Sequence, residues 1–316
     1  MTQPVPDFPM PTPADCFFLP ALSTMAGVVD QRFCVLYAAK GPSVRGLVLY
    51  IHPFAEEMNK ARRMATLQAR ALAQAGYAVL QIDLLGCGDS SGDFGDATWQ
   101  SWVSDVVRGG RWLRERHQAP GPQGRSAPLW LWGLRAGCLL AVEAASQMSE
   151  PCHFLFWQPP AAGRPLLQQF LRLKAAADLQ SNQAKNVMAS LRQQLSEGTS
   201  IEVAGYRLAP ELASGLEKSV LLPGPATTPG RLEWFELSTR ADAVLSPASS
   251  EAMAQWQQRG FEVRSQLING PAFWQSGEIE EIPALITATT AAVSSGSARG
   301  ASSTCQRGAG VEVFAA

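Results

Sequence analysis

The run Gly133-Leu134-Arg135-Ala136-Gly137 has the spacing of a nucleophile elbow. In the pattern G-x-S-x-G, a serine stands on a sharp strand-to-helix turn and the flanking glycines leave room for it. Here the central residue is Arg135. A guanidinium stays protonated and cannot attack a carbonyl carbon. The spacing therefore predicts a strained turn without serine chemistry. What an arginine can do at a helix N-terminus is hold a carboxylate or phosphate, or form half of an internal ion pair. A cation in a cleft needs a partner, and Glu57 and Asp242 are the carboxylates on offer.

The rest of a triad follows in the order nucleophile, acid, histidine. Asp242, in STRADAVLSP, stands at the acid position. The histidine slot, in NGPAFW before Phe273 and Trp274, holds Ala272. The chain has 3 histidines, His52, His117 and His153, and none follows residue 153. Losing either serine or histidine removes most of a triad's rate. Cys138 lies one residue into the helix and reads as core. Cys87 and Ser90 lie in a loop that reads as a brace.

His52 follows an apolar run, where a loop of this kind carries an oxyanion-hole amide. It either fixes that loop through the backbone or meets a ligand. The cluster from Ala55 to Arg63 then opens a helix, whose positive end suits Glu56 and Glu57. Either these are surface charges or one of them pairs with Arg135. Candidate catalytic positions are thus Arg135, Asp242, His52 and Glu57. Phe54, Glu56, Asn59, Ala136 and Trp274 are candidate ligand contacts.

Elements must position these groups. Gly46–Ile51, Tyr77–Ile82, Leu129–Trp132 and His153–Trp157 are short apolar runs of strand type. Between them, residues such as Trp99, Trp102, Val103 and Val106 recur at helical spacing. Strands apolar on both faces, alternating with helices, predict a mostly parallel sheet flanked by helices, an α/β fold. The rhythm breaks over 158–230. That stretch has helix-like pieces at Pro165–Leu179 and Gln183–Leu195, then the turn-rich EVAGYRLAPEL. It reads as a helical insertion, either a plain cap or a lid over a pocket. The pattern returns at Leu232–Leu237 and Val263–Ile268. The division expected is a flexible arm at 1–15, a core at 16–157 and 231–290 interrupted by the insertion, and a Gly/Ala/Ser-rich disordered tail at 291–316.

Composition narrows the partners. Lys+Arg of 26 against Asp+Glu of 27 leaves a formal charge of −1, without the basic excess of a nucleic-acid grip. The 6 cysteines show no CxxC spacing, so neither a zinc site nor a disulfide framework is expected. No organic cofactor is indicated. No apolar run approaches the roughly 20 residues of a membrane span, and the N-terminus lacks a signal-peptide pattern. The expected location is the cytoplasm.

The stretches YIHPFAEEMNKARRM, DLLGCGDSSGDF, WVSDV, WGLRAG, VAGYRLAPEL and GPAFWQ resemble the second family of exosortase A system-associated hydrolases. The resemblance covers most of residues 16–286. It implies the α/β-hydrolase fold with a helical lid, a bacterial source, and a link to exosortase A, PEP-CTERM protein sorting and exopolysaccharide production. It also implies that arginine at the elbow is a trait of the family. Two functions stand open. One is a non-catalytic protein that binds an anionic or acyl ligand in the hydrolase pocket. The other is an ester or thioester hydrolase working through His52, Glu57 and Arg135.

Overall fold

The computed structural model describes residues 14–20, 30–117, 126–177, 184–240 and 242–295, with side chains of 175–186 left aside. An eight-stranded sheet forms its centre. Its strands are β1 (Ala14–Pro20), β2 (Gln31–Tyr37), β3 (Gly46–Ile51), β4 (Tyr77–Ile82), β5 (Leu129–Leu134), β6 (Cys152–Trp157), β9 (Arg231–Ser238) and β10 (Glu262–Asn269). Across the sheet they run β1-β2-β4-β3-β5-β6-β9-β10. From β4 to β10 all neighbours are parallel, whereas β2 pairs antiparallel with β1 and β4.

Strand β3 is buried along its length, and so is β5, because helices cover both faces. Side chains alternate between the faces with period two. Leu47, Leu49, Ile51, Leu129 and Leu131 join the core beneath α2 (Trp99–Arg116), α3 (Ala136–Ser146) and α7 (Pro247–Gln258). Val48, Tyr50, Trp130, Trp132 and Leu134 join the core beneath α1 (Glu56–Gln74) and α8 (Pro283–Ser294). Each large side chain so buried contributes about 1.5–3 kcal/mol.

Between β6 and β9 lie α4 (Gly163–Ala177), α5 (Ala184–Ser196), the hairpin β7 (Ile201–Val203) and β8 (Tyr206–Leu208), and α6 (Pro210–Lys218). The turn-rich EVAGYRLAPEL is this hairpin followed by the start of α6. Ala204 and Gly205 both have positive φ, 51° and 84°. That is the two-residue turn whose twist suits a hairpin, formed without the Asn-Gly that usually signals it.

Two boundaries differ from the sequence reading. Ala14 and Asp15, placed in the arm, already pair with Tyr37 and Leu36; the remainder of the arm, 1–13, lies outside the described residues. The expected tail begins inside α8, which runs to Ser294 and buries Ala292 and Val293. Its PALITATTAAV sequence is an apolar helix opened by proline, masked in composition by the alanines and threonines. Residues 296–316 lie outside the described set. Among the described residues no helix is long and apolar enough to cross a membrane.

The β5–α3 turn is tight. A Cβ at Gly137 would lie 2.1 Å from the Ile51 carbonyl oxygen, and one at Gly133 would lie 2.5 Å from the Cys138 nitrogen. Both neighbours are backbone and cannot swing aside. Gly137→Ala is expected to cost about 3 kcal/mol, the upper end of overpacking effects, read as a lower urea midpoint at unchanged m-value.

Candidate functional site

The carboxyl ends of β3 and β5 meet at the centre of the sheet. There the chain order reverses, which is where open α/β sheets bind ligands. Both strands turn into helices through a residue in a rare conformation. Ala55, before α1, has φ 51° and ψ −127°; Arg135, before α3, has φ 54° and ψ −118°. A non-glycine residue there is strained, by roughly 1–3 kcal/mol. The Arg135 amide donates to the Trp157 carbonyl at 3.0 Å, which fixes the turn against β6.

The Arg135 side chain lies in a cleft. Its Nε reaches Glu57 Oε1 and Oε2 at 3.3 and 3.4 Å. Nη2 reaches Glu57 Oε1 at 3.2 Å and Gln169 Oε1, from α4, at 2.8 Å. The guanidinium also sits 5.8 Å from the centre of the Trp274 ring. Arginine and glutamate side chains are only 12 % and 10 % exposed. Burial pushes the Glu57 carboxyl up, opposed by Arg135 and by a hydrogen bond from Gln275. The cleft is lined by Phe54, Glu56, Glu57, Arg135, Gln169 and Phe170, among others, and measures about 30 Å³, room for roughly one water. A larger groove of about 1100 Å³, lined by Trp99, Leu167, Arg192, Leu195 and Pro210, shares no residue with it.

The other sequence candidates distribute as follows. Phe54 is buried edge-on against Phe94, Trp102 and Phe170. Glu56 lines the cleft, Ala136 is buried at the head of α3, and Asn59 is exposed on α1. His52 is buried with both ring nitrogens engaged. Nδ1 lies 2.8 Å from the Pro53 carbonyl and Nε2 is 3.3 Å from the Leu84 amide. That pairing puts the proton on Nδ1 and leaves no nitrogen free to act as a base. Burial also lowers its pKa. His52 thus ties the β3 loop to the end of β4.

Asp242, expected at the acid position as one of two partners for Arg135, does not pair with it. It lies past β9, exposed, and pairs with Arg240 two residues away, with Nη2 to Oδ2 at 3.0 Å. No element covers it there, so it stays in solvent. Cys138 and Cys87 are buried and their thiols are pushed up by that burial. Ser90 donates to the Asp83 carbonyl and accepts from the Phe33 amide, bracing its loop.

Gln169 and Gln275 are members the sequence reading missed. The signal for Gln169 was a single polar residue in the stripe Leu166, Gln169, Phe170, Leu173, spaced i, i+3, i+4, i+7 on one face of α4. Among the described residues no group of histidine, cysteine and carboxylate ligands forms a metal site.

No family model matches the chain, and no curated protein matches it. Solved structures do. A ferulic-acid complex of the esterase Est1E from Butyrivibrio proteoclasticus is 15 % identical, with a TM-score of 0.58 over 84 % of this chain and 94 % of that one. A soluble variant of monoglyceride lipase from Saccharomyces cerevisiae is 12 % identical, with a TM-score of 0.58 over 95 % and 100 %. Mouse alpha/beta hydrolase domain-containing protein 10 is 16 % identical, with a TM-score of 0.53 over 88 % and 96 %. Likeness at these identities carries the fold, which is the α/β-hydrolase fold, and nothing of the substrate.

Removing one partner of a buried pair strands the other charge. Arg135→Met is expected to cost about 3 kcal/mol, most of which Arg135→Met/Glu57→Met restores. The single variant also carries a pH signature. A carboxyl raised above its unfolded pKa binds its proton more tightly when folded, so its destabilising effect grows as pH rises and fades on acidification. Without Arg135 that rise is larger. The stability deficit of Arg135→Met, measured by urea denaturation, is expected to be smaller at pH 5 than at pH 8.

Proposed function

We propose that this chain is a non-catalytic binding protein built on the hydrolase scaffold, with residues 158–230 as a cap over its cleft. In this reading the anionic group of a ligand enters when α4 lifts, and takes the place of the Gln169 amide oxygen on Arg135. A charged acceptor there makes a stronger bond than the neutral amide it replaces.

One observation carries the proposal: the elbow position is filled by a guanidinium already bonded to Glu57, with no imidazole beside it. All three histidines are placed elsewhere. His52 is tied to backbone, His153 accepts from the Arg231 amide at 3.0 Å, and His117 caps the end of α2. Ala272 holds the usual histidine slot, followed by buried Phe273 and Trp274. The resemblance to exosortase A system-associated hydrolases supports a role beside that bacterial sorting and exopolysaccharide machinery, on the cytoplasmic side.

A second reading, hydrolysis of an ester or thioester with Glu57 as base, is favoured by the burial that raises the Glu57 carboxyl. Hydrolysis of p-nitrophenyl esters from acetate to palmitate separates the two. Wild type, Arg135→Ser and Glu57→Gln are all expected to stay at the uncatalysed background, because a serine at the elbow still lacks a base. Turnover by wild type that Glu57→Gln abolishes would install the hydrolase reading in its place.

A further inference from the structure

We infer that the groove of about 1100 Å³ between α5 and α6 is a binding site for a single-chain aliphatic carboxylate, with Arg192 receiving the head group. The groove shares no residue with the cleft at Arg135, so the inference stands apart from the binding reading above. It also requires no movement, because the space is already open to solvent. Its size is at the upper end of ligand sites, which run from about 300 to 1,000 Å³.

The floor is apolar and comes from three helices. Trp99 of α2, Leu167 of α4 and Ala213 of α6 line it, and they are only 4 %, 3 % and 2 % exposed. The polar atom of the indole is spent elsewhere: Trp99 Nε1 donates to Glu143 Oε2 of α3 at 2.6 Å. What Trp99 gives the groove is therefore ring. Gly215 lets α6 settle against that residue, since a Cβ there would lie 2.1 Å from Trp99 Cβ. Leu195 and Pro210 extend the apolar lining toward the rim. Replacing water on such a floor with a hydrocarbon chain is favourable.

Four charged side chains line the groove: Arg192, Glu211, Glu217 and Lys218. Three are accounted for within the fold. Glu217 pairs with Arg164 at 3.5 Å. Glu211 stands in the first turn of α6 and Lys218 in its last, where the helix dipole favours each sign. Arg192 differs. It is half-buried and lies short of the last turn of α5, so no helix end favours it. No carboxylate among the described residues pairs with it; Glu197, just past α5, accepts from Gln193 Nε2 at 2.8 Å instead. Arg192 thus sets the sign of the head group. Its planar fork matches a carboxylate through two parallel bonds, and one unmatched cation suits one negative charge. A cationic head would meet repulsion from Arg192 and Lys218 together.

Three probes with the same chain length test this: decanoate, decanol and decyltrimethylammonium. Each is titrated calorimetrically into the full chain below its micelle concentration. The variants are Arg192→Gln, which removes the charge, and Ser214→Trp, which fills the groove from α6. Circular dichroism and an unchanged urea midpoint confirm that each is folded. Wild type is expected to bind decanoate at least tenfold more tightly than decanol, and decyltrimethylammonium more weakly still. Arg192→Gln is expected to bring decanoate within threefold of decanol. Ser214→Trp is expected to weaken decanoate at least tenfold. Decanoate binding that survives Ser214→Trp would overturn the site. A decanoate preference that survives Arg192→Gln, or equal binding of the cationic probe to wild type, would overturn the role of Arg192. No binding of decanoate to wild type would overturn the inference outright, and each of these results leaves the reading of the Arg135 cleft where it stands.

Discussion

A guanidinium that cannot release its proton, set at the end of a central strand, constrains everything around it. Arg135 stands at the N-terminus of α3, an end that repels cations. Its charge must be met from another element, and α1 meets it. The Ala55 turn delivers the first turn of α1 to the same place, in almost the same backbone conformation as Arg135 itself. Glu57 then bonds the guanidinium. Two strained turns and one ion pair are thus a single arrangement: the strain at each turn is held by packing, and the packing is closed by the pair.

The same arrangement ties down elements that come later in the chain. Gln169 of α4 shares Nη2 with Glu57. Trp274 lies against the guanidinium, and Lys60 of α1 donates to the Gln275 carbonyl. In a working triad of this fold, the loop after the last strand would supply a histidine that moves protons. Here that loop supplies an indole that lies against the Arg135 guanidinium and an amide that hydrogen-bonds Glu57.

Much of this was legible in the residues. Gly133 and Gly137 marked the elbow because only glycine fits where backbone approaches backbone within 2.1 Å of a missing Cβ. The apolar runs marked β3 to β6 because both faces of those strands are covered. Glu57 was one of two partners named for Arg135, since charge and helix position both pointed to it. What stayed hidden depended on contacts distant in sequence. Nothing local to Asp242 says that the loop after β9 faces solvent. Gln169 is one glutamine among many until α4 is seen packed over the elbow. The edge pair β1–β2 forms antiparallel, out of step with the βαβ rhythm that revealed the others. In the β7–β8 hairpin, alanine takes a positive φ that sequence usually assigns to asparagine or glycine.

The place of α8 bears on the order in which the molecule can assemble. Thr289 accepts from Trp157 Nε1 at 3.0 Å, Thr290 accepts from Gln68 at 3.0 Å, and the Val293 carbonyl accepts from the Tyr77 hydroxyl at 3.2 Å. One late helix therefore closes bonds for β6, α1 and β4. Strand β6 also waits, since its parallel partner β9 lies beyond the whole 158–230 segment, and such distant pairings form slowly. During synthesis the growing chain must carry an unpaired edge on β6 until β9 is made, and an uncovered face over β9 and β10 until its last described helix has left the ribosome. An open edge of that kind is a template for association between chains. The nascent protein is thus most exposed to misassembly while residues 158–230 are being made.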